Sequence, residues 1–464
     1  MTAGRTAVVW LRRDLRRADL PLLAAAHERS GGGPVAVVFV LDPAFLDGAG
    51  AARRGWLAAT LLALRESYEG RLTLLHGDPA EQIPAFARAI GATSVHVSTE
   101  TEPAGADRDR RVASALHEHD IAWVETGSPY AVTPGRVLTK AGGPHGTFSS
   151  FERTWREHGW RAPAEEPEGL VIADDASHAG AWKLVEQLLD DPDHPDLPDA
   201  GEGAALDRWH AFLDDGLLSY ADRRDRADLQ QATSELSPYL KFGVLHPRTL
   251  LADLAPHTGK GADRFRSELA WREFYADVLH HHPASLTGDL RDALAGMEYD
   301  ADEQALKAWQ QGRTGFPLVD AGMRQLLAIG WMHNRVRMVT ASFLTKDLHV
   351  WWPAGAQWFL DHLIDGDLAS NTHGWQWVAG TGTDAAPYFR VFNPVKQGQT
   401  HDPDGDYVRR WVPELAHLSG AAVHEPWQAE DGYLHGYPER IIDHADERRV
   451  ALARHDQARH RNSS

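Results

Sequence analysis

Five short apolar runs recur through the first 126 residues: TAVVWL (6–11), VAVVFVL (35–41), RLTLLHG (71–77), TSVHVS (93–98) and IAWVET (121–126). Helical spacing fills 53–67, 79–90 and 105–119 between them. Runs this short and this apolar read as buried strands, and strand–helix alternation with brief loops predicts a parallel, doubly wound α/β sheet. The loop after the first run, WLRRDLRR, contains no glycine, so an ordinary glycine-rich dinucleotide turn is excluded.

The pattern then changes. Residues 161–205 are rich in Pro, Asp, Glu, Gly and Ala, and PDHPDLPDAGEG within them reads as a linker. Beyond about residue 205 no strand pattern recurs, and helical patterns broken by Pro and Gly run to the end. The expected layout is an α/β domain over 1–130, an acidic connector over 131–205 and a larger all-α domain over 206–464.

A net charge of −19 argues against a nucleic-acid partner until its distribution is considered. Residues 161–215 hold fifteen Asp or Glu against three Lys or Arg. The remainder is therefore closer to balance and can carry a basic face. The absence of cysteine excludes disulfides, Cys-ligated zinc and thiol catalysis. No run of eighteen apolar residues is present, and the first residues place charges where a signal peptide needs its apolar block. A cytoplasmic protein without a membrane segment is expected. Adjacent helical residues point in different directions, so HHH at 280–282 does not read as a metal site, and no metal is expected.

Four segments set hydrogen-bonding groups beside aromatic surface. In TSELSPYLKFG (233–243), Ser237 before Pro238 reads as a helix start, either a simple N-cap or, with Thr233 and Ser234, an anion site suited to a diphosphate. In SELAWREFYADVL (267–279), Glu268, Trp271 and Arg272 fall at i, i+3 and i+4, on one helix face. GWMHNRVRMVTASFL (330–344) interrupts an apolar helix with Asn334, Arg335 and Arg337. A buried Asn334 must bond backbone or meet a ligand, and Arg337 can pair with Asp365. DGDLASNTHGWQW (365–377) crowds Asp365, Asp367 and Asn371 beside Trp375 and Trp377.

Together with VVWLRRDLR, TGFPLVDAGMRQL, the continuation VAGTGTDAAPYFRVFNP and the tail YPERIIDHADERRVAL, these segments resemble the photolyase/cryptochrome family. The likeness is nearest to class I cyclobutane pyrimidine dimer photolyases and covers essentially all of the chain except the linker. It implies FAD, bent, in the helical domain. Tyr220, Thr233, Ser234, Leu236 and Ser237 match positions on the diphosphate side. Trp271, Arg272, Asn334, Asp365 and Asp367 match positions around the ribityl, ring and adenine, with Arg337 paired to Asp365. Asn371 matches the residue opposite flavin N5, where a neutral amide suits several redox states.

The resemblance also implies UV-damaged DNA with a flipped-out pyrimidine dimer as substrate, and a monomeric enzyme. Glu268, Trp271, Asn334, Met338 and Trp377 match the lesion pocket, and Arg224 and Arg335 the phosphate contacts. Trp375 and Trp352 match the first two members of an electron-transfer chain, whose third member, normally Trp, is here Tyr299. At TEPAGADRD (101–109), Ala104 and Gly105 replace the Asn-Glu of folate-binding members. Arg53, Arg108 and Lys241 instead match an 8-hydroxy-5-deazaflavin antenna site. A cryptochrome-like photoreceptor and a (6-4) photolyase are the alternatives. The MHNR element at 332–335 lacks the His pattern of the latter.

Overall fold

The computed structural model describes residues 5–383 and 389–462. The DAAPY portion of the motif after Trp377, residues 384–388, lies outside the described residues. All five apolar runs are strands: β1 (Thr6–Leu11), β2 (Val35–Leu41), β3 (Leu72–His76), β4 (Ala92–Val97) and β5 (Ala122–Glu125). They form one parallel sheet in the order β3-β2-β1-β4-β5. Every residue of β2 is buried, as a strand covered by helices on both faces must be. The covering helices include Ala51–Ser67, Pro79–Ala89 and Pro103–His117, close to the spans predicted. Val8, Trp10, Val38, Val95 and Val112 share one core there, with Trp10 packed edge-on to Trp123.

The chain divides into two compact units. The first takes residues 1–145, 149–214 and 235–283, and the second takes 146–148, 215–234 and 284–464. Residues 161–214 of the acidic stretch therefore belong to the first unit, where they contribute the helix Ala181–Leu189. The long helix Lys260–His281 is also part of that unit. No helix among the described residues is long and apolar enough to cross a membrane.

The second unit is helical around a core of Trp309, Phe316, Phe343, Trp352, Phe359, Trp375 and Tyr407. One buried carboxylate organises it. Asp320, in the first turn of the helix Pro317–Ile329, accepts from the Thr314 backbone N–H and Thr314 hydroxyl on Oδ1, both at 2.7 Å. Its Oδ2 accepts from the Gly315 N–H at 3.0 Å and the Tyr437 hydroxyl at 2.6 Å. Gly315 (φ 78°) is held so closely that a Cβ would lie 2.4 Å from the Glu439 carbonyl oxygen. The TGFPLVD and YPERII motifs are thus two sides of one junction.

Candidate functional site

The sheet order reverses at β1, which lies between β2 and β4. Open α/β sheets bind ligands beyond the carboxyl ends of strands at such a reversal. The segments leaving β1 and β4 carry opposite charges there. Arg12 Nη1 donates to Asp109 Oδ2 and Arg13 Nη1 to Glu102 Oε1, each at 2.6 Å, while Arg13 also lies 3.6 Å from Glu100. Arg108 reaches Asp109 at 2.8 Å and Glu100 at 4.0 Å, and Lys241 Nζ is 3.8 Å from Glu102. Arg108 and Lys241 are thereby linked in one ionic chain through Glu100, Arg13 and Glu102. Burial alone would push the Glu100 carboxyl up, but Arg13, Arg12 and Arg108 hold it below its ordinary value. Arg53 is buried on the helix Ala51–Ser67 and donates from Nη2 to the Gly48 carbonyl at 3.1 Å. A Cβ on Gly105 would come within 2.6 Å of the Glu100 side chain, which gives a local reason for glycine at that position.

The residues expected to hold the flavin are divided between the two units. In the first, ELSPYLK makes a single short turn of helix, Ser237–Lys241. Its N-cap is Leu236, without a side-chain cap bond; Ser237 is one residue inside, so the N-cap expected at Ser237 is not formed. Glu235 just before it adopts φ 50°, a left-handed conformation uncommon outside glycine, and pairs with Arg208 at 2.5 Å. On the helix Lys260–His281, Glu268, Trp271 and Arg272 have different partners. Glu268 lies 3.2 Å from Arg264, and Trp271 packs on Tyr275. Arg272 donates to the Pro129 and Leu240 carbonyls at 3.1 and 3.0 Å and lies over the Tyr130 ring. Arg272 is thus clamped by backbone carbonyls.

In the second unit, Tyr220 is buried in the turn Tyr220–Arg223, while Thr233 and Ser234 are half-buried outside helix and strand. The expected helix over 330–344 begins only at Asn334, because Gly330 (φ 64°) ends the preceding helix and the His333 imidazole caps the new one by accepting from the Arg335 N–H at 3.2 Å. Asn334 is exposed on that first turn, so the premise of a buried Asn334 is incorrect. Met338 packs against the core. Arg335 Nη2 lies 2.8 Å from Asp225, and Arg224 Nε lies 3.7 Å from the same carboxylate.

His333 carries a pH prediction. Burial pulls its imidazole down to about 4. A folded-state value below the unfolded one means that its contribution is complete above about 6.5 and is lost as pH falls toward 4. The loss amounts to about 3 kcal/mol. Asn also caps helices, so His333→Asn should flatten the fall of stability across that window. An unchanged slope in denaturant titrations would rule out His333 as its source.

Arg337 Nη2 lies 2.8 Å from Asp365 Oδ2, and its Nε donates to the Met332 carbonyl at 2.7 Å. The other oxygen, Asp365 Oδ1, is buried with no partner among the described residues. Two residues on, Asp367 caps the helix Leu368–Ala379 by accepting from the Ser370 N–H at 2.9 Å. Asn371 Nδ2 donates to the Ala356 carbonyl at 3.0 Å, on the helix Trp352–His362. This bond fixes which end of the amide is nitrogen and turns Oδ1 away. An Asn371→Asp substitution sets a carboxylate oxygen against that carbonyl. It should cost about 1–2 kcal/mol at neutral pH and be partly recovered in acid, where a protonated carboxyl can donate. Equal losses at both pH values in paired unfolding curves would refute this account.

The next residues of that helix diverge. Trp375 is buried against Phe359 and Trp309, and Trp377 is half-buried at the edge of the core. Gln376 was not singled out in the sequence, yet its amide clips the 285–290 loop. Nε2 donates to the Ser285 and Gly288 carbonyls at 2.7 and 3.2 Å, and Oε1 accepts from the Leu290 N–H at 2.7 Å. That loop carries Asp289, whose Oδ1 accepts from Trp352 Nε1 at 2.7 Å. A Cβ on Gly355 would lie 2.2 Å from Trp375 Cη2, so the Trp375 ring rests on the first turn of the Trp352–His362 helix.

These residues fit FAD. The unmatched Asp365 oxygen requires an N–H or O–H donor, which a flavin ring or ribityl chain supplies, and Asn371 Oδ1 is a second acceptor. Residues 265–457 match the model of the FAD binding domain of DNA photolyase, and residues 7–168 match that of DNA photolyase. A deoxyribodipyrimidine photo-lyase of Halobacterium salinarum is 40% identical, covering 97% of this chain and 98% of its own. One from Streptomyces griseus is 39% identical over 98% and 99%. Among solved structures, a bacterial class III photolyase from Agrobacterium tumefaciens aligns with TM-score 0.88 at 35% identity, over 99% of both chains. A Synechocystis cryptochrome aligns with TM-score 0.86 at 26% identity, over 97% of this chain and 99% of its own. Near-complete coverage at this identity, with both domain models matched in order, places the chain in the DNA photolyase family.

Proposed function

We propose that the chain repairs cyclobutane pyrimidine dimers in DNA by light-driven electron transfer, as a monomer of the class I type. The observation that carries this is the near full-length match at 40% identity to a relative named deoxyribodipyrimidine photo-lyase. Class I is the type the motifs resemble, although the class III photolyase covers the chain as fully. Asp365, Arg337, Asp367 and Asn371 would hold the flavin in the second unit. Bound and reduced, FAD supplies the excited electron that opens the cyclobutane ring and returns to it.

The chain's own part is to bind, orient and exclude water. A dimer must leave the duplex to be reached, and its weakened stacking lowers that cost. Trp377 offers it an apolar wall, Met338 a soft contact, and Asn334 a polar handle for pyrimidine carbonyls and N–H groups. Arg224 and Arg335 are set for phosphates, which makes binding salt-sensitive and nearly blind to sequence. At the sheet reversal, the Arg108–Lys241 chain together with Arg53 supports an 8-hydroxy-5-deazaflavin antenna over folate. The structure of a Sulfolobus tokodaii photolyase with two FAD molecules, 25% identical, adds a second flavin as an antenna to be tested.

The test is repair. Reduced, purified protein is incubated with an oligonucleotide bearing one thymine dimer, in the dark and under blue light, and thymine absorbance is followed. Light-dependent recovery is expected. Bound, reducible FAD without recovery would refute dimer repair and favour a photoreceptor, the reading that the cryptochrome relative supports.

A further inference from the structure

Among the described residues of the second unit, Trp351 is the large aromatic that stands out from the core beside the buried pair Trp352 and Trp375. Its side chain is 42% exposed, whereas Trp352 and Trp375 are buried. The Trp351 and Trp352 ring centroids are 6.3 Å apart, edge to face, within contact range for aromatic rings. Asp289 Oδ1 reaches both indoles, accepting from Trp352 Nε1 at 2.7 Å and lying 3.4 Å from Trp351 Nε1. A carboxylate so placed favours positive charge on either ring. Three indoles therefore run from the interior to solvent. Trp375 rests on Gly355, one turn along the helix that Trp352 opens, and Trp351 precedes Trp352.

We propose that Trp351, not Tyr299, is the terminal electron donor by which this chain photoreduces oxidised flavin. The inference rests on the flavin reading above. One electron passes from Trp375 to the light-excited flavin. Trp352 refills Trp375, and Trp351 refills Trp352. The Trp351 radical cation then releases its indole proton to water, and an external thiol restores it by one electron and one proton. Repetition delivers the second electron.

Tyr299 is poorly placed for that last step. It lies against Trp351, with ring centroids 6.5 Å apart, and is partly buried against Leu294 and Met297. Oxidising a phenol requires loss of its proton. Burial first, then the Asp289 charge, push the Tyr299 hydroxyl further above its ordinary value. Trp351 meets solvent directly, where both proton release and thiol access are open.

Trp351→Phe and Tyr299→Phe would be compared with the parent as FAD-loaded protein, using flash absorption to identify the radical and continuous blue light with thiol to follow reduction. The parent should show a tryptophanyl radical that decays faster as thiol is raised. Trp351→Phe should lose the long-lived radical and most of the photoreduction, while Tyr299→Phe keeps both. Both variants should repair normally once reduced chemically, which separates this inference from the repair proposal. A tyrosyl radical in the parent, full photoreduction by Trp351→Phe, or loss in Tyr299→Phe would each overturn the assignment. A parent that binds FAD but does not photoreduce overturns it together with the electron-transfer reading.

Discussion

Asp320→Ala is expected to cost about 4 kcal/mol of stability, near the upper end for one substitution. The side chain is small, so little apolar contact is lost. The cost comes from its four donors. The Thr314 and Gly315 N–H groups and the Thr314 and Tyr437 hydroxyls all point at one buried carboxylate. Alanine leaves them facing a void, and an unsatisfied buried donor costs about 1–3 kcal/mol. Related variants separate the contributions. Asp320→Asn keeps an oxygen for the Thr314 pair but turns an amide N–H toward Gly315, and should lose about half as much. Tyr437→Phe removes one donor together with its need, and should lose about 1 kcal/mol. Denaturant unfolding of the whole chain reads all three. A loss below about 1 kcal/mol for alanine would mean that water fills the site and satisfies the donors.

Gly355→Ala should be nearly as damaging although it adds one methyl group. That carbon would lie 2.2 Å from Trp375 Cη2 and 2.5 Å from Leu344 Cδ2. Neither neighbour is a flexible chain end, since Trp375 is wedged against Phe359 and Trp309. Overpacking of this kind costs about 1–3 kcal/mol, and the indole must tilt to relieve it. The expected signature is a lower unfolding midpoint together with slower flavin photoreduction, because the ring displaced is the first in the proposed relay. A stable variant with parental photoreduction would show that the helix shifts as a body and leaves the ring in place.

The sheet was legible because its strands have buried both faces, and such burial writes itself as unbroken apolar runs. The Arg337–Asp365 pair was legible for a related reason: two opposite charges in apolar surroundings have few partners to choose from. Arg272 was not. Its partners are the carbonyls of Pro129 and Leu240, and a carbonyl belongs to every residue alike. Gln376 is hidden in the same way, since all three of its bonds are to backbone. Ser237 and Asn334 were misread at helix starts, where a shift of one residue decides whether a side chain caps, points inward or faces solvent. The partition of the chain was obscured by composition. The connector expected over 131–205 holds Trp155, whose indole donates to the buried Glu273 carboxylate at 2.5 Å.

Asp225, shared by Arg224 and Arg335, has a thermodynamic consequence for any polyanion that meets them. It is a counter-ion that cannot diffuse away. Two bare guanidinium groups would gather mobile anions from solution, and a nucleic acid would bring condensed cations of its own; their joint release drives binding. Here part of the protein's field is already answered by a fixed carboxylate, held ionised by its arginines against its own burial. An arriving phosphate exchanges one anion for another at this point. Log affinity should therefore fall less steeply with log salt than a count of arginines implies, and the chain should let go of undamaged duplex more readily than its basic residues alone would suggest.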